Sequence, residues 1–174
     1  MANPEISETA KDICCLLDEL GAKYKIYVKD DNEYSYLEEN ELSIRIPNPY
    51  CSHAIFINLQ SEISIYFADW HGHYCYDETD YAEFCETLSA ILNNSVCSAS
   101  VFLGEGEDCK WNGSTLAEKS DIENMPPEEA YAGNCIMAQV KREQWEKNGA
   151  TVRFVFWDPK YNKTVTIEKD DKLK

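Results

Sequence analysis

The chain has 174 residues, 44% of them hydrophobic, and a formal net charge of −16. That length supports one domain with a substantial core, and the apolar content excludes a disordered chain. The acidity argues against nucleic acid and phosphorylated substrates, since a negative surface repels them and draws in basic protein surfaces.

The charge is unevenly placed. Residues 1–45 carry 11 acids and 5 bases, residues 46–109 carry 10 acids and no Lys or Arg, and residues 110–174 carry 11 of each. Apolar runs are too short for a membrane span. The opening Met-Ala-Asn-Pro-Glu-Ile-Ser-Glu lacks the basic start and apolar stretch of an export signal. The expectation is therefore a cytoplasmic protein. The eight cysteines, at 14, 15, 51, 75, 85, 97, 109 and 135, include no C-x-x-C pair, and in that compartment they are expected to be reduced and mostly buried.

A first helix is predicted from Pro4 to Leu20. Asn3 can cap it, Ile6, Ala10, Ile13, Leu17 and Leu20 form its apolar stripe, and Gly21 stands at its end. Tyr24, Ile26 and Val28 alternate with Lys23, Lys25 and Tyr27 as a strand. A turn at Asp30-Asp31-Asn32 leads to a return strand through Tyr34, Tyr36 and Leu37, giving a hairpin. After the solvated Glu38–Glu41 connection, Leu42, Ile44 and Ile46 form a short strand ended by Pro47-Asn48-Pro49. Ala54–Leu59 is the next strand. The two-residue link Gln60-Ser61 makes it the antiparallel neighbour of a strand over 62–68.

That strand runs into Asp69-Trp70-His71-Gly72-His73. Asp80 with Glu83 has capping-box spacing and opens a helix whose face is Tyr81, Phe84, Cys85, Leu88, Ile91 and Leu92, stopped by Asn93-Asn94. Val96–Leu103 reads as a buried strand, 104–108 as a loop, and Cys109–Leu116 as a strand with a turn or bulge at Asn112-Gly113. Residues 118–130 read as an acidic surface excursion with one helical turn. Over 135–147 helix and hairpin compete, and helix is preferred for the second half. Thr151–Trp157 and Thr164–Ile167 are strands joined by a turn at Asp158–Asn162, and the tail from Glu168 frays. Short connections favour antiparallel pairing, so the expected fold is α+β: a single 1–174 domain with one antiparallel sheet, the N-terminal and central helices packed on one side.

Three patterns carry chemistry. Residues i and i+2 of a strand share a face, so His71 and His73, with Asp69 in phase, could hold zinc with an open fourth position, as a metal-dependent hydrolase would. Cys75, Asp77 and His53 are further ligand candidates. Against this, H-x-H is an incomplete ligand set, and Gly72 suggests an irregular backbone that would part the two rings. Nucleophilic catalysis finds no G-x-S-x-G and no cysteine-nucleophile signature, and no glycine-rich loop suits a phosphate. The aromatic residues form the third pattern. Tyr34, Tyr36, Trp70, Tyr74, Tyr76 and Tyr81 neighbour acidic residues, and such rings bury area at interfaces at low entropic cost. Their alternation with Ile and Phe equally allows a core role.

Asp69-Trp70-His71-Gly72-His73, the Tyr81–Leu92 helix with Asn93-Asn94, and Lys110-Trp111-Asn112-Gly113-Ser114 together resemble small bacterial immunity proteins of polymorphic toxin systems. The likeness spans about residues 55–116. It implies a non-enzymatic α+β protein that neutralises a cognate toxin, and it brings no contact residues with it. The reading from the residues themselves is a protein-binding module without a cofactor. Asp69, Trp70, Tyr74, Tyr76, Asp77, Glu78 and Asp80 are its candidate contact surface, a protein with a basic surface is its partner, and neither nucleic acid nor membrane is expected to bind. The alternative is a zinc-type hydrolase built on Asp69, His71 and His73.

Overall fold

Each of the long predicted strands finds an antiparallel partner, but in two sheets rather than one. The structure is a computed structural model that describes residues 4–29, 31, 34–104, 109–133 and 135–170, without the side chains of Pro4, Glu5 and Cys135. The fold class is α+β, and the chain divides into two compact units, residues 1–92 and 93–174.

In the first unit, helix α1 (Pro4–Glu19) ends as its sequence predicts: Gly21 has φ +66° and Ala22 N–H donates to the Leu17 carbonyl at 2.9 Å. Strands β1 (Lys25–Tyr27), β2 (Leu42–Pro47), β3 (Ala54–Leu59), β4 (Ile63–Phe67) and β5 (Trp70–Tyr74) pair consecutively into one antiparallel sheet. The expected hairpin between Tyr24–Val28 and Tyr34–Leu37 does not form. β1 pairs with β2 instead, while Tyr34 is buried and stacks on Tyr27 with ring centroids 4.0 Å apart. Ring burial there outweighs strand propensity. Residues 30 and 32 of the predicted turn lie outside the described residues.

Period-two alternation gives this sheet two unlike faces. Ile44, Ile46, Ile55, Ile57, Leu59, Ile63, Ile65 and Phe67 are buried, as are Ile13 and Leu17 of α1 and Phe84, Leu88 and Ile91 of α2 (Glu78–Leu92). The helix cap is displaced from the prediction. Asp77 Oδ1 accepts the backbone N–H groups of Thr79 (3.0 Å) and Asp80 (3.1 Å), so Asp77 and not Asp80 caps α2.

The second unit holds β6 (Val96–Leu103), β7 (Lys110–Glu118), β8 (Ala150–Val155) and β9 (Lys163–Ile167) in the order β7-β6-β8-β9. The register slips between Val101 and Phe102 opposite Asn112, which realises the predicted bulge at Asn112-Gly113. The excursion over 118–130 is instead two short helices, α3 (Lys119–Asn124) and α4 (Pro127–Ala132). Helix α5 fills Cys135–Asn148, beyond the half expected. Trp145 of α5 is fully buried among Cys97, Ala99, Val101, Val152 and Phe154. Glu128, also buried, is ion-paired by Arg142, as a buried carboxylate requires. Among the described residues no helix is long and apolar enough to cross a membrane.

Candidate functional site

The site residues gather on β5 and the first turn of α2. The predicted run from 62 into His73 is two strands. β4 and β5 form a hairpin closed by the Phe67–Trp70 pair, with Ala68 and Asp69 as its loop. Ala68 has φ +52°, the left-handed value that a two-residue hairpin needs at its first loop position. Nothing in the dipeptide announces this turn, because Ala seldom adopts such a φ.

The pairing Ser64–His73 and Tyr66–His71 puts both histidines on the face opposite the buried isoleucines. Gly72 does not part them. It belongs to regular strand, and it is glycine because Trp70 lies across it: a Cβ built there would sit 2.8 Å from Trp70 Cη2 and 3.1 Å from Tyr74 Cε2. The two imidazole centroids are 5.1 Å apart and edge-on, and His71 also stacks on Tyr66 at 5.9 Å. His73 Nδ1 lies 2.6 Å from Glu62 Oε1 and 3.2 Å from Ser64 Oγ. A carboxylate can only accept, so Nδ1 carries a proton toward Glu62, and in the neutral imidazole the Nε2 lone pair is left for another partner. Asp69 sits in the loop, outside the strand face that carries the histidines, and His53 lies exposed ahead of β3.

The acidic residues lie beyond the strand. Asp77 and Glu78 are exposed and Asp80 is half-buried. Asp80 Oδ2 accepts the Cys75 N–H at 2.8 Å. Among the described residues, no ion pair involves Asp77, Glu78, Asp80, Glu83 or Glu86. The whole unit has 18 acidic residues against 5 Lys and Arg. Among the described residues the donor atoms of Cys75, Asp77 and Asp80 lie within 4.8 Å of one another, and Asp69, His71 and His73 make no such group. Asp77 and Asp80 already serve backbone N–H groups at the helix start, which accounts for their position.

Seven described cysteines are free thiols. Hydrogen bonding to Asp80, reinforced by that charge, raises the Cys75 pKa. Burial raises those of Cys14 and Cys85, and pushes that of Cys97 up to about 12. Each shift disfavours the thiolate that nucleophilic chemistry needs.

The three aromatic candidates separate. Tyr74 is buried against Phe84, and its hydroxyl donates to Thr87 Oγ1 at 3.1 Å, so it is a core residue and not a contact anchor. Trp70 is half-buried over Gly72, and Tyr76 is half-buried with its hydroxyl donating to the Gln60 carbonyl at 3.0 Å. The residue missed by sequence reasoning is Glu62. Its link to His73 runs across a strand pair, and only the register reveals it. No protein-family model, curated protein or solved structure matches the chain.

Proposed function

We propose that the protein is a non-enzymatic, cytoplasmic binding module, an immunity-type inhibitor that occludes a cognate toxin. The observation that carries this reading is the unpaired acidic stretch at the start of α2. Asp77 and Glu78 point exposed charge outward without a cation among the described residues to neutralise it. The resemblance of the 69–73, 81–94 and 110–114 motifs to bacterial immunity proteins supports the same conclusion.

In the proposed mechanism Asp69, Asp77, Glu78 and Asp80 draw in a basic partner surface and set the association rate, while Trp70 and Tyr76 pack at the contact and slow dissociation. If the toxin is a nuclease, the same carboxylates stand in for its phosphate-bearing substrate.

Co-expression tests the reading. The product of the adjoining gene should arrest growth of a naive host alone and not when this protein is present. Asp77→Asn/Glu78→Gln should then slow association and flatten its salt dependence. A harmless neighbour, or an association rate indifferent to salt and to both substitutions, would refute the proposal.

A further inference from the structure

The hairpin face carries a second arrangement, independent of any protein partner. We infer that His71 and His73 form a two-imidazole chelate for a late first-row divalent cation, zinc being the probe of choice, with Glu62 as the group that orients His73.

The spacing fits. With a metal–nitrogen bond of about 2.0–2.1 Å and roughly 1.15 Å from ring nitrogen to ring centre, a metal sits about 3.2 Å from each centroid; at a tetrahedral angle the two centroids are then about 5.2 Å apart. The observed separation is 5.1 Å with the rings at 85°, so the two side chains stand close enough to share a cation once their nitrogen edges turn toward it. Both rings are exposed, so the cation keeps its remaining positions for water or another ligand. The Glu62–His73 contact is the carboxylate–histidine pair that metal sites use to fix the tautomer and raise ligand basicity. His71 makes no hydrogen bond among the described residues, and its ring is held by Tyr66. Imidazole nitrogen selects zinc, nickel, cobalt or copper over calcium and magnesium, which take oxygen. Asp69, which the sequence suggested as a third ligand, lies in the hairpin loop and has no part in the chelate, while Glu62 orients His73.

The test is a titration of untagged, reduced protein with Zn²⁺ alone, followed through the imidazole ¹⁵N resonances. The Nε2 signal of His73 and one ring-nitrogen signal of His71 should move together on one binding curve, with those of His53 unchanged. His71→Ala or His73→Ala should weaken binding at least about tenfold, and Glu62→Gln by about tenfold, the lower end for an orienting carboxylate. Cys75→Ser should leave the affinity intact. All four side chains are exposed or half-buried, so an unchanged unfolding midpoint checks that the variants fold. Histidine signals that stay still, single-histidine variants that bind like the parent, or loss of binding on Cys75→Ser would overturn the inference, the last by moving the cation to Cys75, Asp77 and Asp80.

Discussion

Replacing Gly72 with alanine asks whether the Trp70 ring is what keeps that position bare. Gly72 is not in the left-handed region, so the backbone itself accepts a side chain. The obstacle is space: the new Cβ falls 2.8 and 2.9 Å from Cη2 and Cζ2 of Trp70. Carbon atoms pack comfortably at about 3.5 Å, so the ring must retreat by roughly 0.7 Å. If it stays, crowding costs about 1–3 kcal/mol. If it swings out and re-exposes about 80 Å², the cost is about 2 kcal/mol at ~25 cal/mol per Å². Losing glycine's freedom in the unfolded chain returns about 0.4–1 kcal/mol, leaving a net destabilisation of about 1–1.5 kcal/mol. In a Trp70→Val background the main obstacle is gone and only the Tyr74 Cε2 contact at 3.1 Å remains, so crowding and the gain from the unfolded chain roughly offset and the same substitution should be near neutral, a coupling of about 1–1.5 kcal/mol. Native-state hydrogen exchange of the β3 and β4 amides reads the opening free energy of this unit directly. A Gly72→Ala protein more stable than the parent, or a cost that persists without Trp70, would refute the reasoning.

Three further outcomes are expected. Ala68→Gly should relieve a left-handed alanine and stabilise the first unit by about 1 kcal/mol, seen as a midpoint rise of a few degrees; an unchanged midpoint means the loop is unstrained. Ser100 is fully buried, and its hydroxyl has no hydrogen-bond partner among the described residues. Ser100→Ala should therefore raise stability by about 1 kcal/mol in urea unfolding, and a loss of similar size would mean the hydroxyl is satisfied. A hydrogen bond to Asp80, reinforced by its charge, raises the Cys75 pKa, so Asp80→Asn should lower that pKa and speed iodoacetamide alkylation of Cys75 at pH 8, with the gain fading as pH rises past the parent thiol's pKa. Equal rates at pH 8 would remove Asp80 as the cause.

The helical periodicity of Tyr81–Leu92 and the alternation of Ile55, Ile57 and Leu59 with Ile63, Ile65 and Phe67 were legible because burial selects the same spacing over several turns or residues. Three features were not. The β4–β5 turn uses Ala68-Asp69, a dipeptide without the Asn-Gly or Gly signals that mark hairpins. Helices α3 and α4 have six residues each, shorter than the two turns periodicity needs to show. Two sheets replace one because strand patterns specify faces, not partners, and only the registers show that β6 joins β7 and β8. At the site, the shared face of His71 and His73 followed from their spacing. Their carboxylate partner did not, because Glu62 lies eleven residues before His73 in the chain and meets it only through pairing. Tyr74 looked like a surface ring because its core contact with Phe84 comes from α2.

The strand order of the first sheet has a kinetic consequence. Every neighbour in β1-β2-β3-β4-β5 is also the next strand in sequence, so each pairing closes only a short loop. The second sheet must bring β8 onto β6 across the whole of β7 and three helices. Loop closure of that span carries a larger entropic cost, and such long-range pairing slows folding. On the ribosome the chain emerges N-terminus first. Residues 1–92 are therefore expected to assemble their sheet, with the His71–His73 hairpin in place, while the strands that complete the second sheet are still being synthesised. Pulse-labelling of arrested nascent chains should show protected β3 and β4 amides before any protection in β6.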